Sequence, residues 1–154
     1  MPDTRADTLF NLRYAVRVLE RYAHLWHNAG VTLKFSSILS GTAALASLTG
    51  QVVLLAVAAG IFFAVMQALE LALAPADRAT AASLQRREYA RLLAQGCQLG
   101  DEALAAQYAG LVAEDGIHVP QGLKLIAYND VVRERGLDSA ALYTNTNRLL
   151  ACLS

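Results

Sequence analysis

Between Lys34 and Glu70 the chain carries 35 consecutive residues, 35 to 69, without one charged side chain. A membrane-spanning helix needs about 20 apolar residues, so the run is too long for one ordinary crossing and close to right for two. Thr49-Gly50-Gln51 interrupts it near the middle, where glycine tolerates the backbone angles of a tight reversal. The pattern predicts a helical hairpin, with one helix from about Leu33 to Leu48 and a second from about Val52 to Ala74. At the standard rise these measure roughly 24 and 35 Å, the first short of a hydrocarbon core of about 30 Å. The pair is therefore a two-span hairpin or a re-entrant one, or else the first span starts a turn earlier and Lys34 snorkels. A buried position in a soluble bundle is the competing arrangement, and a chain of 154 residues has little room to enclose such helices.

Residues 1 to 34 have a different pattern. Leu9, Leu12, Val16, Leu19, Ala23, Trp26, Gly30 and Leu33 alternate at spacings of three and four, an a/d seam, while Arg13, Arg17, Glu20 and Arg21 fall off it. Asp3 or Thr4 can cap the start of this amphipathic helix. Its seam suits either the C-terminal helices of the same chain or a neighbouring copy. Tyr22 and Trp26 precede Lys34 as candidate headgroup anchors. Pro75 ends the second apolar helix or opens the next. Helices are then expected over about 77–95, 101–114, 121–135 and 138–150, divided by Gly96, Gly100, Asp115-Gly116 and Gly136. No alternating strand pattern stands out. The expectation is an all-α chain in three parts: an N-terminal amphipathic helix (1–34), a hairpin of two transmembrane helices (35–75) and a C-terminal cytoplasmic helical region (76–154).

Two faces of the hairpin carry candidate function. Ser36, Ser40 and Ser47 fall within about 40° on a helical wheel, with Ala43 among them. Such a hydroxyl stripe either lines a watery path in an oligomer or packs, each hydroxyl bonding a carbonyl one turn back. Ala56, Gly60, Ala64, Ala68 and Ala72 recur at every fourth position of the second helix. Small residues let membrane helices approach closely, so this face should meet the hairpin partner or a second subunit. Gln67 and Glu70 lie one turn apart near the cytoplasmic end, Glu70 shallow enough for an interface position.

Charge gives the orientation. The totals cancel, 13 basic against 13 acidic residues, and no basic block or RNA-binding aromatic motif points to direct contact with nucleic acid. Arg5, Arg13, Arg17, Arg21 and Lys34 precede the hairpin and Arg78, Arg86, Arg87 and Arg91 follow it, while the turn has none. The positive-inside rule then puts both termini in the cytoplasm. Cys97 and Cys152, far apart in sequence and assigned to the cytoplasm, are expected as reduced thiols. The chain lacks a phosphate-cradling loop, a zinc-protease helix motif, a nucleophile elbow and a paired-cysteine motif, so no catalytic residue, cofactor or metal is assigned. His24 and His27 lie three apart, with no further ligand local to them.

Four features together resemble the SLATT family of small bacterial proteins with two transmembrane helices. They are Tyr22-x-x-x-Trp26, the hairpin, Arg87-Glu88-Tyr89-x-x-Leu92, and Val112-x-Glu114 followed by Pro120-x-x-Leu123-x-x-x-Ala127-x-Asn129-Asp130. The resemblance implies an effector of a bacterial anti-phage conflict system at the inner membrane, oligomerising into a pore when a companion protein signals infection. It also implies a separate sensor or signalling partner, because no sensor domain is evident here. The alternative is a membrane-anchored scaffold or regulator, in which Asn129 and Asp130 either touch a cytosolic partner or belong to an ordinary helix face.

Overall fold

The computed structural model describes residues 5–49, 53–134 and 136. Among them every regular element is helical: α1 (Arg5–Thr49), α2 (Val53–Leu73), α3 (Pro75–Gln95), α4 (Asp101–Ala113) and α5 (Gln121–Glu134). The all-α expectation holds. The expected helix over 138–150, the Thr49-Gly50-Gln51 reversal beyond Thr49, and Cys152 lie outside the described residues.

The first difference from the pattern is at Lys34. The amphipathic and first apolar helices are one unbroken helix of 45 residues. The sequence Leu33-Lys34-Phe35 contains no glycine, proline or capping side chain to stop helix propagation, so a change in polarity is not a change in backbone. At the C-terminal end of α2 the backbone does break. Ala74 has φ 41°, the left-handed region that an alanine enters only at a cost, and Pro75 follows as the first residue of α3, where its missing N–H is harmless.

The chain divides into two compact units, one of Met1–Leu25 with Ala79–Ser154 and the other Trp26–Arg78. The first is a helical bundle with its own core. Leu12, Leu19, Tyr89, Leu92, Leu104 and Leu123 are buried there. The N-terminal seam thus packs on the helices that follow the hairpin, and a Cβ on Gly96 would come within 3.1 Å of Leu9 Cδ2. Polar ties hold the same helices in register. Arg5 donates to the Leu99 and Gly96 carbonyls and to Asp101; Glu20 accepts from Arg17 and Arg86; Arg21 donates to Asp130 at 2.9 Å. Arg17 also bonds Glu134, and that hydrogen bond leads the causes that raise the guanidinium above its ordinary value.

The second unit is built differently. None of α2 is buried, and its apolar side chains point outward, with Leu54 84 % and Leu71 86 % exposed. The run Val53–Gln95 contains a stretch long and apolar enough to cross a membrane, and only 6 % of that stretch is buried.

Candidate functional site

The second unit pairs the later part of α1 with α2 and the first turn of α3. Its contacts define an antiparallel register. Arg78 stacks its guanidinium 4.5 Å above the Trp26 ring. A Cβ on Gly30 would lie 3.4 Å from Pro75 Cγ, Lys34 Nζ is 4.0 Å from a Glu70 carboxylate oxygen, Gln67 Nε2 donates to Ser37 Oγ, and a Cβ on Gly41 would meet the Phe63 ring at 3.6 Å. As the α1 number rises, the partner's number falls. Trp26, Gly30, Lys34, Ser37 and Gly41 are spaced by three or four, so they form one face of a single helix.

This face differs from the two chosen on sequence grounds. Ser40 is buried and donates to the Ser37 carbonyl at 2.9 Å, the backward bond expected of a packing serine. Ser36 and Ser40 border a shallow apolar groove of about 430 Å³ shared by Ala43, Leu55, Ala59 and Phe62. The side chain of Ser47 lies outside the described ones. On α2, Ala56 and Gly60 are half-buried, whereas Ala64, Ala68 and Ala72 are exposed. A Cβ on Gly60 would meet nothing within 4 Å. Ala64, Ala68 and Ala72 therefore do not meet α1, whereas Phe63, Gln67 and Glu70 do, and Leu55, Ala59 and Phe62 share the groove with it.

Sequence reasoning missed Ser37 and Gly41, and placed Gly30 on the N-terminal seam without its neighbour Pro75. Their signal was present: small residues on one face of α1 let the opposing helix come close, and Gln67 is the long polar side chain that reaches Ser37 across the gap. In an apolar setting such a bond satisfies two groups that hydrocarbon cannot.

The proposed anchors separate. Tyr22 is only 6 % exposed and belongs to the bundle core, so it is not at a surface; its position next to the Leu19 seam explains the burial. Trp26 is half-buried under Arg78, Lys34 is exposed and Glu70 half-buried. Of the seam residues, Leu12 and Leu19 are buried and Leu9 and Val16 half-buried. Asn129 is 1 % exposed and Asp130 holds Arg21, so Asn129 belongs to the core and Asp130 ties α5 to α1. His24 and His27 are both exposed.

Comparison with known proteins adds nothing to this geometry: no family model, no curated protein and no solved structure matches the chain. The arrangement itself says what the pair can do. It presents apolar side chains outward, Phe35, Ile38, Leu54 and Ile61 among them, and buries Ser37 and Ser40 at the line between two helices.

Proposed function

We propose that this chain is a two-span protein of the bacterial inner membrane, with both termini cytoplasmic, which assembles with copies of itself and permeabilises the membrane when a separate partner signals. The observation that carries the membrane part is the distribution of exposed apolar side chains. Phe35, Ile38, Leu45, Leu54 and Ile61 are each more than half exposed, all within Trp26–Arg78, while the bundle buries Leu12, Leu19, Leu92, Leu104 and Leu123. Leaving such surface in water costs on the order of 25 cal/mol per Å², which lipid removes. With 21 residues, α2 spans about 32 Å at the helical rise, enough for one crossing. The unbroken course of α1 supports a first span that begins before Lys34, near the exposed Val31, with the Lys34–Glu70 pair at its edge.

Self-assembly and permeation draw their support from the resemblance to the two-helix effector family. A second reading, an anchor whose bundle engages a cytosolic partner, is favoured by the way Ser37 and Ser40 spend their hydrogen bonds inside the helical pair and so leave little polar lining for a water path.

Alkaline carbonate extraction of membranes tests the common premise. Retention in the pellet, with an aggregation control negative, is the expected result; release as soluble protein sinks both readings. Dye-loaded liposomes carrying inserted, oligomeric protein then separate the two. Leakage supports permeation, and intact vesicles leave only the anchor.

A further inference from the structure

The structure takes part of the N-terminal seam out of the homo-oligomeric reading, because Leu12 and Leu19 are buried in the bundle core, while the exposed Ala64, Ala68 and Ala72 of α2 stay open to a second subunit. Among the described residues the bundle also exposes one face of α3. Leu84, Glu88, Arg91 and Gln95 follow spacings of four, three and four along α3, all exposed, and so form one stripe. Leu84 is 54 % exposed, an unusual state for a bundle leucine here. Beside the stripe, α3 and α4 enclose a groove of about 450 Å³ with Leu92 and Leu111 among its lining residues and Glu88, Arg91 and Glu114 at its polar edges. Gly110 lines it too, and a Cβ there would meet nothing within 4 Å, so a neighbouring helix has room to approach.

We infer that this stripe is where two copies of the chain meet, α3 against α3, antiparallel about a two-fold axis. The stripe carries its own electrostatic complement. In that register Glu88 lies opposite Arg91 of the second copy, Arg91 lies opposite its Glu88, and Leu84 is covered by the methylene stem of its Gln95. A two-fold contact must be self-complementary, with each residue of a pair used twice. Opposite charges three residues apart on one helix meet that condition when the helices run antiparallel and fail it when they run parallel, where like charges would face each other. Within the chain, Glu88 and Arg91 form no ion pair among the described residues, so both remain available to the second copy.

The inference rests on the homo-oligomeric reading and is tested apart from insertion, on the full chain in mild detergent, by light scattering across a concentration series. The wild type is expected to dimerise. Glu88→Arg sets two like-charged pairs against each other and should weaken the dimer by about tenfold or more. Arg91→Glu should do the same, and the double variant E88R/R91E should restore association, because the charges are exchanged in register. Circular dichroism confirms that each variant is folded, and Arg91→Glu serves as the single-charge arm if Glu88→Arg is not. An oligomer indifferent to both single reversals overturns this contact while the homo-oligomeric reading stands. A monomeric wild type overturns both, and a folded double variant that stays monomeric overturns the antiparallel register.

Discussion

Tyr89 shows how one side chain reports on the bundle. It is 1 % exposed, packs beside Tyr108 with ring centroids 6.4 Å apart, and burial, reinforced by the charges of Asp115 and Glu88, pushes its phenol up to about 12. A phenol held above its ordinary value of 10.0 stabilises the folded state while it stays protonated in both states. That contribution is whole below pH 10 and is lost as pH rises toward 12, because the unfolded chain then releases a proton that the folded chain keeps. Denaturation measured at a series of alkaline pH values should show stability falling across this window, and the fall should be shallower in Tyr89→Phe. An identical slope in the two proteins would mean that the phenol is hydrated. The polar residues of the helical pair follow the opposite logic. Ser37 and Gln67 are neutral, so their bond supplies specificity between two apolar helices without a charge to desolvate.

At the scale of the elements, what was legible in the sequence was periodicity, and what was hidden was partnership. The a/d positions of the N-terminal segment marked Leu12 and Leu19 as packing positions, for the same chain or a neighbouring copy, and both are buried within the chain. Replacing Leu12 by Ala should therefore cost about 2–5 kcal/mol, the usual range for a leucine cavity, whereas Leu54→Ala, at an 84 % exposed position, should leave the stability of detergent-solubilised protein nearly unchanged. Chemical denaturation followed by circular dichroism checks both; equal losses would contradict the division into a packed bundle and an outward-facing pair. The boundary at Lys34 was misleading because a helix carries no record of its solvent in its backbone: α1 passes from polar to apolar composition without a stop signal. The stop at Ala74-Pro75 was legible because proline constrains geometry directly. Facing residues were harder. A run of alanines marks a surface that could be approached closely and does not say by what, and in this chain the closer approach to α1 is at Gly30 and Gly41. Tyr22 was misassigned for the same reason: proximity to an apolar run suggested an anchor, while its neighbours on the seam already placed it in the core.

For the molecule as a whole, the placement of arginines on both sides of the apolar segment carries a prediction of topology, in which both flanks stay on one face of a membrane. Arg5, Arg13, Arg17, Arg21, Arg78, Arg86, Arg87 and Arg91 flank residues 35–69, which carry no charged side chain; carrying them across a bilayer would cost several kcal/mol, so the proposed two-span topology keeps both flanks in the cytoplasm. Cys97 offers a reporter, since it is exposed and free and lies in the bundle unit. In a background with Cys152→Ser, a membrane-impermeant maleimide should label Cys97 in inverted inner-membrane vesicles and fail to do so in intact spheroplasts. A Gly50→Cys substitution combined with Cys97→Ser should give the reverse. If both sites label from the cytoplasmic side, the apolar segment enters and leaves the same leaflet, and α2 is then half of a re-entrant loop despite being long enough to cross. If Cys97 labels only from outside, the cation distribution has been overridden, and the bundle would face away from any cytosolic partner able to trigger it. The labelling pattern thus decides between spanning and re-entrant hairpins, a question that helix length alone leaves open because α1 has no end at the membrane boundary.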